Sequence, residues 1–301
     1  MGDKTSFSQR VKEEICRELP ARRCCLLAEC YGILLYCNTF SPGGIRIVTE
    51  HPDFAARVLK LFRKTFGFDF DEIPDEEPES GKYSFRMTDP EKIAAVYAGF
   101  GLSMEEAVTL HLNRGVLENE CCDFAFLRGA FLSGGSVIDP EKRYHLELST
   151  THQRICAQTY SLLLDVGFAP KDVVRNGAFV LYFKQSDQIE DFLTSVDAPL
   201  CAMKIMEAKI EKQMRNRVNR VCNCDEANTE KVVRASREQL EAIKKLRASG
   251  VLETLPLKLQ EMAALREQEP EAPLSELAQR LSLTKSAVNH RMRKLMELAK
   301  D

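Results

Sequence analysis

Two stretches, Cys30-Tyr-Gly-Ile-Leu-Leu-Tyr-Cys-Asn38 and Leu127-Arg-Gly-Ala-Phe-Leu-Ser-Gly-Gly135, decide how the first two thirds of this chain are read. Both are apolar, helix-like runs with a glycine at the third place, and Gly32 and Gly129 lie 97 residues apart. The order of features after them also repeats. In the first copy an apolar helix around Ala28 to Tyr36 leads to a Gly-containing turn, the β-branched run Ile45 to Thr49, then His51 and a helix from Pro52 to Phe66. A strand at Lys82 to Met87 and a helix from Asp89 to Ala98 follow. The second copy has a helix Asp123 to Ser133, Gly134 and Gly135, a strand Tyr144 to Ser149, then His152 and a helix to Val166, a strand Ala178 to Lys184 and a helix Asp187 to Val196. His51 and His152 are 101 residues apart, and Gly67-Phe68 answers Gly167-Phe168. Each copy reads α-β-α-β-α with room for a further hairpin strand, which predicts an α+β fold with helices over one sheet face.

Inside the first copy, Asp69 to Ser80 holds seven acids, two prolines and no base. Like charges repel and hydrate, so a solvated loop is expected. From Leu200 the pattern turns to long helices, Ala202 to about Val221 and Thr229 to Ala248. Cys222-Asn-Cys-Asp-Glu-Ala-Asn228 between them reads as a linker, because Asn and Asp favour turns and caps, with Thr229 as the next N-cap. Gly250 ends that helix, Pro256 starts another, and Pro270 with Pro273 isolates the last unit. The expected organisation is an N-terminal helix (1–20), a repeat domain (21–200, copies at about 21–110 and 121–200), a helix with linker (201–228) and an all-α C-terminal domain (229–301).

The formal charge of −3 hides an asymmetry. Residues 204–301 carry 20 Lys and Arg against 15 Asp and Glu, leaving 22 against 30, or −8, for residues 1–203. Only the C-terminal part has the sign that phosphate attracts. No apolar run reaches the roughly 20 residues of a membrane span, and the polar start MGDKTSFSQR lacks the order of a secretory signal, so a cytoplasmic protein is expected. Eleven cysteines in 301 residues without export signals read as reduced thiols.

The C-terminal part carries a helix-turn-helix pattern. Leu274, Leu277, Ala278 and Leu281 form one apolar stripe and Val288, Met292, Leu295 and Ala299 a second. Ala278 is the small residue at the crossing, Ser282 stands at the turn where glycine is often found, and Val288 is the inward apolar residue, at the offsets such a motif needs. Thr284 is placed to cap the second helix. Opposite Val288 lie Ser286, Asn289, His290, Arg293 and Lys294, with Lys285 and Arg291 at the edges. Asn can bond adenine in two places and Arg guanine, while Lys and Ser near the helix start hold phosphates, so double-stranded DNA is the expected partner.

The two opening stretches resemble the paired LAGLIDADG helices of homing endonucleases. In that fold, the resemblance implies, the glycine permits close helix crossing and an acid at the eighth place binds the metal of phosphodiester hydrolysis. Here Cys37 and Gly134 occupy those places, and neither supplies the hard oxygen that Mg²⁺ requires, so nuclease chemistry is expected to be absent. Ser6 to Glu14, Leu127 to Val137 with Tyr144-His-Leu-Glu147, Arg215 to Asn228 and Lys285 to Arg291 are more specifically similar to the bacterial WhiA family, over nearly the whole chain. That resemblance implies a degenerate LAGLIDADG domain joined to a DNA-binding helix-turn-helix, in a regulator of cell division and chromosome segregation, and of sporulation in some bacteria. Thr284 and Ala287 stand where family members usually have Ser and Gly.

Other chemistry is weakly represented. Cys222-Asn-Cys224 has no nearby CxxC or His pair to finish a tetrahedral metal shell. Cys24-Cys25 and Cys121-Cys122 are sequence neighbours that cannot both face one core, and read as half-buried hydrophobes. His111, His145 and the pair His51 and His152 lack a nucleophile at interpretable spacing. No cofactor or metal is expected. Two alternatives stay open: a scaffold whose repeat domain binds a regulatory protein, and a residual nuclease.

Overall fold

The computed structural model describes residues 5–104 and 110–300, with the side chains of Val221, Cys224 and Ala227 outside that set. The chain forms two compact units that divide between Lys212 and Gln213. In the first, a leading helix α1 (Phe7–Cys16) opens on a reciprocal cap: Ser6 Oγ accepts from Gln9 N at 3.2 Å while Gln9 Oε1 accepts from Ser6 N at 2.7 Å. The first copy follows as α2 (Arg23–Leu35), β1 (Thr39–Ser41), β2 (Gly44–Thr49), α3 (Pro52–Phe66), β3 (Tyr83–Met87) and α4 (Pro90–Gly99). The second is α5 (Glu120–Gly134), β4 (Gly135–Val137), β5 (Leu146–Thr150), α6 (Gln153–Asp165), β6 (Lys171–Arg175), β7 (Ala178–Phe183) and α7 (Ser186–Ser195). The antiparallel sheets run β1-β2-β3 and β4-β5-β7-β6.

The repeat extends to backbone detail. His51 and His152 take the N-cap positions of α3 and α6 with matching dihedrals, φ −103° ψ 109° and φ −103° ψ 107°. Their side chains diverge: His51 is buried with Nε2 3.1 Å from Gln9 O, whereas His152 is exposed. Three strands go beyond the α-β-α-β-α reading. β1 and β4 are the additional hairpin strands, and β6 escapes detection because all five residues of Lys-Asp-Val-Val-Arg are exposed, which removes the alternation that betrays a strand.

The acidic segment differs from a wholly solvated loop. Glu72 exchanges both backbone hydrogen bonds with Arg86. Asp71 Oδ2 accepts from Thr88 N (2.6 Å) and Asp89 N (2.8 Å), and Asp71 Oδ1 pairs with Lys92 at 2.5 Å. These donors hold the Asp71 carboxyl down at about 2. The bases missing within the segment come from β3, α3 and α4.

α2 and α5 form the core of this unit, buried on all sides. A Cβ added to Gly32 would lie 2.1 Å from Phe126 O, and one added to Gly129 would lie 2.2 Å from Glu29 O. The approach is reciprocal and backbone to backbone. Beside it lies a buried ionic network. Glu29 takes Arg57 through 2.5 and 2.9 Å bonds and Arg128 through a 2.8 Å bond; Arg57 Nη1 also donates to Ile15 O and Glu18 O, and Arg128 reaches Asp197. One carboxylate therefore ties both copies to the end of α1.

α8 (Pro199–Ala248) is one helix, which corrects the linker reading of Cys222 to Asn228. The segment holds neither Gly nor Pro, and Asn and Asp cost only some tenths of a kcal/mol each in a helix interior. Thr229 is no N-cap: its hydroxyl donates to Asp225 O within the helix at 2.9 Å. The helix starts where the Glu14 carboxylate of α1 accepts from Leu200 N (2.6 Å) and Cys201 N (2.9 Å). The second unit continues with α9 (Leu257–Gln268), α10 (Leu274–Arg280) and α11 (Lys285–Leu298) around Ile243, Leu246, Met262, Leu277, Val288 and Leu295. Among the described residues no helix is long and apolar enough to cross a membrane.

Gly129→Ala should lower the stability of the first unit by about 3 kcal/mol, the upper end of the usual overpacking range, because the clash is with backbone and no rotamer relieves it. The midpoint of urea unfolding, compared with the surface change Gly43→Ala, where a Cβ meets nothing closer than 3.9 Å, measures it; equal loss in the two variants would count against the crossing.

Candidate nucleic-acid interface

Local physics builds the α10–α11 corner. α10 stops because Ser282 adopts a left-handed backbone (φ 53°), which turns the N–H of Leu283 back to Ala278 O at 2.8 Å and that of Ser282 to Gln279 O at 3.1 Å. Two residues later Thr284 Oγ1 accepts from Ala287 N at 3.2 Å and starts α11. Leu277, Ala278, Val288, Met292 and Leu295 are buried, so the small residue, turn and inward residue occupy the places that the spacing predicts.

Burying that stripe forces the opposite one outward. Ser286, Asn289, His290, Arg293 and Lys294 are exposed along one side of α11, with Lys285 exposed at its first turn. Among the described residues, Lys285, Arg293 and Lys294 form no ion pair, so their charge is available to an external anion. Two candidates are otherwise engaged. The hydroxyl of Thr284 serves the cap, and half-buried Arg291 turns toward α9, its Nη1 3.4 Å from Lys258 O. The structure adds a residue that sequence reading missed: Lys231 of α8 lines the same groove as Lys285, together with Ser275 and Pro273. A period-3.6 pattern within one helix cannot reveal a cation supplied by another.

The C-terminal ends of α2 and α5 meet at a cleft lined by Tyr36, Cys37, Asn38, Ser133, Gly134 and Ser149. Cys37 Sγ lies 3.2 Å from Thr39 O, and burial pushes its thiol up to about 12, so it stays a neutral donor. A Cβ at Gly134 would stand 2.5 Å from Ser149 O and 2.7 Å from Tyr36 Cδ1. No side chain of any kind fits there unless β5 moves, which rules out a carboxylate at the second of the two places.

Residues 218–299 match the family described as the WhiA C-terminal HTH domain, and residues 124–215 match the WhiA LAGLIDADG-like domain. A probable cell division protein WhiA of Ruminiclostridium cellulolyticum is 39% identical over 98% of this chain and 97% of its own length. The protein of the same description from Alkaliphilus oremlandii is 37% identical over 98% and 97%. The crystal structure of full-length DUF199/WhiA from Thermatoga maritima is similar in fold, with a TM-score of 0.60 over 98% of each chain at 24% identity.

The corner makes two expectations of opposite sign. Ser282→Gly should stabilise α11 by about 0.5–1 kcal/mol by relieving the left-handed backbone, partly offset by glycine's greater chain entropy. Thr284→Ala should cost about 1 kcal/mol through the lost cap. Hydrogen exchange of the α11 amides reads both; the same sign for the two substitutions would contradict this account of the turn.

Proposed function

The chain belongs to the WhiA family, and on that premise we propose that it is a sequence-specific regulator of transcription that binds double-stranded DNA and acts in cell division. The observation that carries this reading is the outward stripe of α11, where amide, hydroxyl, imidazole and unpaired cationic groups stand together on a helix held by a tight corner. Such a helix enters the major groove with its exposed face toward base edges. Asn289 is suited to adenine and Arg293 to guanine, with His290 and Lys294 beside them, while Lys285 and Ser286 at the helix start meet phosphate. Thr284 contributes by holding that first turn. Lys231 adds a cation to the same approach.

Chromosome segregation, and sporulation where the host forms spores, belong to the same proposal, as does a cytoplasmic place at the nucleoid. The paired helices act without nuclease chemistry, a reading supported by the neutral thiol of Cys37 and the side-chain-free position of Gly134. For the repeat domain a regulatory protein is a better partner than DNA. Residues 1–203 hold 22 Lys and Arg against 30 Asp and Glu, a balance that repels phosphate.

Genome-wide footprinting of the intact chain identifies its sites, and binding isotherms on those sites then test the face. Asn289→Ala and Arg293→Ala should each lose about 1–3 kcal/mol on the preferred site with little change on unrelated DNA. Lys285→Ala should weaken binding to all sequences and lower the slope of log affinity against log salt by about 0.9. Unchanged footprints in both the Asn289 and Arg293 variants would remove the assignment of this face.

A further inference from the structure

At the ends of α2 and α5 opposite to the Cys37 and Gly134 cleft, the structure gathers four thiols. The Sγ atoms of Cys24, Cys25, Cys121 and Cys122 all lie within 4.8 Å of one another. In sequence they are two adjacent pairs, each at the second and third positions of its helix. Cys24 to Cys121 and Cys25 to Cys122 both span 97 residues, the interval of Gly32 to Gly129. The crossing that brings the glycines into contact therefore superposes the cysteine pairs as well. Neighbouring cysteines do diverge, as expected for one core: Cys25 and Cys122 are buried at 6% and 0% exposure while Cys24 and Cys121 are half-buried. The expectation missed that each pair meets its repeat-related counterpart, so that all four turn toward one point.

We propose that these four cysteines form a structural zinc site that clamps the N-terminal ends of the two core helices. Four thiolates around one ion at about 2.3 Å stand about 3.8 Å apart in a tetrahedron, so the observed spread closes by side-chain rotation of roughly 1 Å. An iron–sulfur cluster places bridging sulfides between its thiolate pairs and needs a wider set than this one. The surroundings suit the resulting charge. Four thiols lose four protons on taking up Zn²⁺, leaving a net charge of −2 at the site. Arg22 Nη1 lies 3.6 Å from Cys121 Sγ, and the positive ends of α2 and α5 both point at the cluster. Half-burial leaves a route in for the ion while the inner two thiols stay dry.

The test uses the full chain, purified under reducing conditions without added metal, with zinc measured by plasma mass spectrometry. About one zinc per chain is expected. Cys24→Ser combined with Cys121→Ser, at the two half-buried positions, should drop this below about one tenth, while Cys222→Ser, at an exposed cysteine that is not one of the four, should leave it unchanged. Circular dichroism checks that the double variant folds. A measurement without any variant runs alongside: chelator-stripped wild type given Co²⁺ should develop the visible bands of tetrahedral thiolate coordination, and given Zn²⁺ should melt at a higher temperature. Fully reduced wild type that takes up neither ion overturns the proposal. So does zinc retained by the folded double variant, or a disulfide among the four in protein that binds no metal after reduction.

Discussion

The backbone-to-backbone approach of α2 and α5 is the constraint on which the first unit depends. Gly32 sits against Phe126 O and Gly129 against Glu29 O, so each helix supplies the glycine and the carbonyl that the other needs. Contact this close leaves no room for side chains at the crossing, and the helices must satisfy every polar group near it internally. Glu29 does so for both copies, gathering Arg57 and Arg128 where an unpaired charge would cost several kcal/mol. The sheets, α3 and α6 then pack on a pair whose geometry is already set.

A parallel pair of crossing helices has two ends, and the chain has treated them differently. At the C-terminal end stand the Cys37 thiol, which burial keeps protonated, and Gly134, pressed onto β5. At the N-terminal end four thiols converge next to an arginine. One end presents a thiol and a glycine and the other gathers sulfur, and the same 97-residue interval relates the partners at both.

The C-terminal unit reaches its outward polar face by a parallel logic on a smaller scale. A small residue, Ala278, permits the approach, one left-handed residue, Ser282, sets the angle, and one hydroxyl, Thr284, begins the next helix. The polar face follows from these, since burying Val288, Met292 and Leu295 leaves Asn289, His290, Arg293 and Lys294 no direction but outward.

Much of this was legible in residue order, because it depends on local periodicity and on intervals that a repeat preserves. The α+β repeat, the glycines at the crossing and the helix-turn-helix all have such signals. The continuity of α8 through Asn223 and Asp225 did not, since mild helix preferences are outweighed by the helix on either side. Nor did β6, whose exposed residues carry no alternation, or the pinning of the acidic loop by bases far from it in sequence. Arg291 shows the same limit: helical angle places it at the edge of the outward face, and only the fold shows its Nη1 beside a carbonyl of α9. The sequence by itself determined which elements form and which faces they bury, because those depend on neighbours three or four residues away. Only the tertiary structure decided what meets across the helices: Lys231 beside Lys285, Glu29 between two arginines, and two cysteine pairs at one point, since contacts between distant residues are made by packing and leave no local period to read.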